Sequence, residues 1–198
     1  MSAGVIATVF VLVGAAELPD KTMIATLVMG SRSRPILVWV GAAAAFLFHM
    51  VLAVGAGRAI ELLPHETLDI VVTGLFFVGA VLLLVVPERK ERERGEEEAA
   101  EAEPAPTRPW KIVASAFGVI IVGEFGDLTQ LLTINLVGKY HQPISVFIGG
   151  YAGLLAASAI GAFGGRALLR VLPLEWIRRA GGLALLGFAA YGVYGLVT

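Results

Sequence analysis

Six long apolar runs, at residues 4–30, 35–58, 67–87, 110–137, 143–165 and 175–197, constrain this chain more than any other feature. A helix needs roughly 20 apolar residues to cross a ~30 Å hydrocarbon layer. Backbone groups in lipid must pair within their own element, so runs of this kind cross as helices. The runs therefore predict an all-α integral membrane protein with six transmembrane helices. Composition agrees. Charged residues make up 16% of the 198 positions and mean hydropathy is +0.81, whereas a soluble domain carries about 25% charged residues. The first run has no basic leader and continues through acids into further apolar sequence, so it reads as a span rather than a cleaved signal. With no cysteine in the chain, disulfides, thiolate metal sites and cysteine nucleophiles are excluded.

Basic residues orient membrane helices, because loops rich in Lys and Arg stay in the cytoplasm. Loops one, three and five hold twelve bases: Arg32, Arg34, Arg89, Lys90, Arg92, Arg94, Arg108, Lys111, Arg166, Arg170, Arg178 and Arg179. Loops two and four hold only Arg58 and Lys139. The expected orientation places the odd loops in the cytoplasm and both termini outside.

The third loop, ERKERERGEEEAAEAEPAPTR at residues 88–108, holds eight of the sixteen acids. It reads as a solvated, partly helical tether, and a cation-sensing role for its glutamates stays open. It divides the chain into an N-terminal three-helix repeat (1–87), a charged cytoplasmic linker (88–109) and a C-terminal three-helix repeat (110–198). The two blocks match. Glu17-Leu18-Pro19-Asp20-Lys21-Thr22 aligns with Glu124-Phe125-Gly126-Asp127-Leu128-Thr129 at an offset of 107, and Thr26 falls on Thr133 in the same register. Gly57-Arg58-Ala59 matches Gly165-Arg166-Ala167, and Gly74 and Gly79 match Gly182 and Gly187. Three helices is an odd number, so the second block must enter from the opposite side. That arrangement is an inverted repeat, which in secondary transporters brackets a substrate site near the bilayer midplane.

Of the eight acids outside the linker, Glu61, Glu66, Asp69 and Glu175 fall at helix ends or in loops. Glu17, Asp20, Glu124 and Asp127 fall deep inside spans. Each buried charge costs about 2.5–3.5 kcal/mol even on the mild insertion scale, so four together call for a cation or protons. Spacing of i, i+3 puts each pair on one helix face. Such a hard-oxygen set suits Mg²⁺, Ca²⁺ or Mn²⁺ rather than Zn²⁺ or Cu⁺. Pro19 and Gly126 share the slot between the acids and are expected to break both helices, which can free backbone carbonyls as further ligands. Thr22, Thr26, Thr129, Gln130, Thr133 and Asn135 offer neutral oxygens. Crowding and desolvation both disfavour charged carboxylates, so protons and a cation are expected to displace one another. Lys21 has no basic counterpart and can pair with one of the acids. His49 reads as a packed polar residue, His65 and His141 as solvated loop residues, and Met23, Met29 and Met50 as core.

The paired motif resembles that of the GDT family of Mn²⁺/Ca²⁺ transporters, long catalogued as uncharacterised protein family sixteen, with Golgi, chloroplast and bacterial manganese-exporting members. The family pattern is Glu-x-Gly-Asp-basic-Thr/Ser, once per three-helix half. The resemblance implies exchange of Mn²⁺ or Ca²⁺ for protons, with Glu17, Asp20, Glu124 and Asp127 as the cation site. The ions are substrates, and no prosthetic group is called for. Pro19 in place of the first glycine and Leu128 in place of the second basic residue leave ion preference and proton stoichiometry open. With the basic loops inside, a bacterial plasma membrane and export from the cytoplasm are expected.

Two rival functions fit less well. An exporter of amino acids or other small solutes would need a basic group for its substrate's carboxylate. A Mg²⁺-dependent intramembrane lipid enzyme would hold its acids at the interface, beside Arg. The expected partners are the divalent cation and the lipid bilayer, with no nucleic acid. The small-residue faces at Gly41–Ala45 and Gly149–Gly153 suit helix packing within one chain or in a homo-oligomer.

Overall fold

The computed structural model describes residues 1–18, 20–62, 64–85, 88–101, 108–169 and 174–197. Among them every regular element is a helix, and no strand is present. In chain order these are α1 (Ala3–Glu17), α2 (Lys21–Arg32), α3 (Pro35–Ile60), α4 (His65–Val85), α5 (Glu88–Glu101), α6 (Pro109–Gly123), α7 (Leu128–Tyr140), α8 (Pro143–Leu169) and α9 (Leu174–Val197). Proline opens α3, α6 and α8, where its fixed φ suits the first turn and its missing N–H is not needed.

Two stretches, Pro35–Ile60 and Pro143–Gly164, are long and apolar enough to cross a membrane unaided. The acid motifs interrupt two further stretches. α1 and α2 meet at 70°, α6 and α7 at 69°, and each bent pair is long enough to cross as one broken span. A rim of large apolar side chains faces outward, including Phe48, Val51, Phe77, Leu183 and Tyr194, as expected where the solvent is lipid rather than water.

α3 and α8 cross at the centre, and each lies along the broken pair of the other half. α8 packs on α1 and α2, α3 packs on α6 and α7, and α4 pairs with α9 at the side. Small residues permit the close approach. A Cβ on Gly149 would lie 2.5 Å from the Ile6 carbonyl, and one on Gly153 would lie 2.9 Å from that of Phe10. Gly41 is closed in the same way against Val113. The two small-residue faces are thus used inside the chain, between helices of opposite halves. Side chains also reach across: Trp39 Nε1 donates to the Leu155 carbonyl at 3.0 Å and Tyr151 Oη to that of Ala43 at 3.1 Å. Both acceptors lie within helices, so these bonds pin α3 and α8 in register.

The linker departs from a simple solvated tether. Glu93, Arg94, Glu96 and Glu97 are exposed, but Gly95 and Ala99 are buried. Gly95 sits against the Lys21 carbonyl and Ile24, and Ala99 joins the apolar cluster of Met23, Leu27 and Ile112. Residues 102–107, and Pro19 in the first motif, lie outside the described residues.

Candidate metal centre

Both breaks are wired alike. The Asp20 N–H donates to the Glu17 carbonyl at 2.9 Å, and the Asp127 N–H to that of Glu124 at 3.2 Å. Each aspartate then serves as N-cap of the following helix, with extended backbone at φ −88° and −78°. An N-cap aspartate ordinarily turns its carboxylate onto the helix's own N–H groups. Neither does so here, and both carboxylates stay available to the space between the breaks. Gly126 passes through φ +75°, a left-handed conformation that glycine adopts without steric penalty.

Carboxylate oxygens of Glu17, Asp20 and Glu124 lie within 4.8 Å of one another, a spacing at which one ion can touch all three. Glu17 and Glu124 are buried, at 0% and 2% exposure. Glu17 is held from both halves. Thr22 Oγ1 donates to its Oε1, and Thr129 Oγ1 donates to its Oε2 at 3.1 Å. Asp127 faces Lys21, with Nζ to Oδ2 at 3.5 Å, so the lysine of one motif answers an acid of the other. Asp20 Oδ2 and Glu124 Oε1 are buried without a hydrogen-bond partner. Buried polar atoms in native proteins are nearly always satisfied, and two orphaned acid oxygens at one point suit a cation or protons.

Helix termini add to this field. α1 and α6 end at the acids and turn their free carbonyls, the negative dipole ends, toward the centre. α2 and α7 begin there and turn positive ends toward Asp20 and Asp127. The first pair favours a cation, and the second favours the aspartates as anions.

The neutral groups divide. Thr22 and Thr129 bond Glu17. Thr26 Oγ1 instead donates to the Met23 carbonyl and Thr133 Oγ1 to that of Thr129, both at 2.8 Å. These are back-bonds to the helix itself, and they use the hydroxyl proton and leave the oxygen lone pairs. Gln130 acts as a brace: its Oε1 accepts the Gly126 N–H at 2.9 Å and its Nε2 bonds His49 Nδ1 at 2.7 Å. His49, buried in α3, bonds the Ile121 carbonyl at 3.2 Å. The second break is therefore clamped to α3 by a chain that sequence spacing does not reveal. Asn135 is eight residues beyond Asp127, about 12 Å along the helix, and stands apart from the acids. His141 is exposed and bonds Glu61 at 3.2 Å.

A sequence profile described as "Divalent cation/proton antiporter GDT1" matches residues 5–91 and 112–198, one stretch in each half, the first running a few residues into the linker. Among curated proteins the chain is 28% identical to Protein PAM71, chloroplastic, of Arabidopsis thaliana, over 97% of this chain and 57% of that protein. It is 27% identical to GDT1-like protein sll0615 of Synechocystis, over 90% and 91%. It is 26% identical to GDT1-like protein 3 of Oryza sativa, over 87% and 67%. The chain thus spans little more than half the length of the Arabidopsis protein and nearly all of the cyanobacterial one. No solved structure matches it. With a profile match in both halves and acid oxygens gathered at two broken helices, the chain belongs to the divalent cation/proton antiporter GDT1 family, a family of membrane transporters and not of enzymes.

Proposed function

We propose that this protein exchanges Mn²⁺ or Ca²⁺ for protons across a bacterial plasma membrane, exporting the cation, through one site built from Glu17, Asp20, Glu124 and Asp127. In this reading α1–α2, α3, α4, α6–α7, α8 and α9 are six spans forming two inverted repeats, 1–87 and 110–198. The linker and the other basic loops lie in the cytoplasm and both termini lie outside. The observation that carries the proposal is the meeting of Glu17, Asp20 and Glu124 oxygens within 4.8 Å, contributed by both halves.

Carboxylate oxygens suit Mn²⁺ and Ca²⁺ alike, and breaks beside the acids supply carbonyls that can complete the shell. Charge balance sets the exchange. Four carboxylates and Lys21 leave a net charge of −3 when all are ionised, which a low-dielectric interior does not tolerate. An entering divalent cation takes over the role of two protons, so a two-for-one exchange keeps the site's charge constant. Lys21 holds Asp127 while the cation is away and must release it when the ion arrives. The positive ends of α2 and α7 steady the aspartates during that handover.

The test uses purified protein in liposomes with a trapped pH dye, adding Mn²⁺ and then Ca²⁺ outside, with wild type beside Glu17→Gln and Asp127→Asn. Proton movement that needs the cation and disappears in both variants is the expected result, and the steeper response names the preferred ion. Cation flux without proton movement would replace the antiporter by a uniporter. Full exchange in both variants would remove the carboxylate site.

A further inference from the structure

Outside the acid cluster, the ends of α4, α7 and α9 enclose a cavity of about 270 Å³ lined by Asp69, Thr73, Phe76, Lys139, Phe188 and Tyr191 among others. Phe76 of α4 and Phe188 of α9 stack with centroids 5.2 Å apart. Lys139 of α7 lies over both rings and over Tyr191, its Nζ at 5.4, 4.2 and 5.2 Å from the three centroids. One ammonium thus ties three helices together across the cavity.

Asn135 sits one turn earlier on α7. Spacing of i, i+4 places it on the same helix face as Lys139, about 6 Å nearer the carboxylates. It is 1% exposed, and both its amide oxygen and its amide nitrogen are buried without a partner. A doubly orphaned amide in a helix core is destabilising, and packing does not explain it. Further along the same face, Leu128 reaches Gly79 of α4, and Asp127 follows at the break. The stripe Asp127–Leu128–Asn135–Lys139 therefore leads from the acids to the cavity.

The other half lacks this arrangement. At the offset of 107, Val28 stands where Asn135 does and Arg32 where Lys139 does. α2 also packs on α5 where α7 packs on α4.

We propose that the outer half of the ion path follows this face of α7. Asn135 is an intermediate oxygen ligand for the divalent cation, and the Lys139–Phe76–Phe188–Tyr191 cage is the outer gate. The inference rests on the transport reading above. A caged ammonium repels an incoming cation, so the gate opens only when Lys139 swings from the rings toward the mouth, where Asp69 lines the wall. Asn135 then receives the ion through its amide oxygen, with no charge to hold it back.

The chain has no cysteine, so a single introduced thiol reports alone. The full-length Asn135→Cys protein in sided membrane vesicles is treated with a membrane-impermeant methanethiosulfonate. Reaction from the face carrying Lys139 and not from the face carrying Arg32 is expected. Adding Lys139→Gln should speed it about thirtyfold, the factor a desolvated cation–π contact supplies. Asn135→Leu, with folding checked by monodisperse elution, should slow Mn²⁺ transport while Asn135→Gln retains most of it. Reaction from the Arg32 face, no reaction from either face, or no acceleration by Lys139→Gln overturns the path. The labelling is repeated in Glu17→Gln, where its sidedness should persist. A protein that labels as expected but moves no cation would refute the transport reading and leave the route standing.

Discussion

Thr129→Val tests whether the two halves meet on one carboxylate. The substitution keeps the branched shape and removes the hydroxyl that donates to Glu17 Oε2 at 3.1 Å. Thr129 is 4% exposed and Glu17 is 0%, so water cannot replace the lost donor. A hydrogen bond to a charged acceptor contributes about 1.5–3 kcal/mol, which is roughly 10- to 150-fold in an equilibrium. Thr22 still donates to Glu17 Oε1, which puts the expected loss at the lower end, about tenfold. Initial rates in proteoliposomes, measured over a Mn²⁺ series, should show the half-saturating concentration rising by that factor. Thr129→Ser should restore it, and Thr22→Val combined with Thr129→Val should lose more than either alone. A Thr129→Val protein within twofold of wild type, or a Ser variant as impaired as the Val variant, would refute the cross-half bond as a support of the site.

Three further outcomes follow from the same geometry. In the proposed exchange protons and cation compete for the same oxygens, so acidification must weaken cation binding. Half-saturating Mn²⁺ should rise about tenfold per pH unit for each proton displaced, and a pH-independent value would separate the two ions' sites. Gly126→Ala should lower transport activity through backbone strain of about 1–2 kcal/mol at φ +75°, with Gly126→Asn milder; no atom lies within 4 Å of the added Cβ, so equal tolerance of both would rule out a conformational role. Gly161→Ala places its Cβ 2.6 Å from the Met23 carbonyl, whereas Gly187→Ala meets nothing within 4 Å. The first should lower the thermal midpoint, by overpacking of about 1–3 kcal/mol, and the second should leave it unchanged when followed by fluorescence-detected size exclusion.

Much of the site was legible because its signals are local. Acids at i, i+3 inside apolar runs, with Gly or Pro between them, are anomalies in a membrane span, and their repetition at one offset marked both of the breaks where the structure gathers Glu17, Asp20 and Glu124. What stayed hidden depends on helices that meet far apart in sequence. Lys21 could have faced any of the acids, and the crossing of the two breaks brings it within 3.5 Å of Asp127. Gln130 looked like a ligand, yet α3 brings His49 to it and turns it into a brace. Thr26 and Thr133 were read by residue type alone, and a threonine within a helix has its own carbonyls in reach. Asn135 was one neutral oxygen among several until its face of α7, and the cavity beyond it, gave it a direction. The charged linker is helical with exposed glutamates, as its composition suggests, but composition does not show that Gly95 and Ala99 dock it on α2.

That docking changes how residues 88–101 should be compared between related chains. Gly95 and Ala99 are four apart and share the face laid on α2, where a side chain at Gly95 would strike Ile24 and the Lys21 carbonyl. The exposed Glu96 and Glu97 can be exchanged for other polar residues without touching that seam. Inserting one residue ahead of Gly95 cannot be tolerated so easily, because it rotates the rest of the helix by about 100° and brings a glutamate to the seam. What is held fixed in this segment is its phase and not its charge. Lys21 opens α2 and faces Asp127 at 3.5 Å, so a slip in that phase would be felt at the first turn beyond the acid cluster.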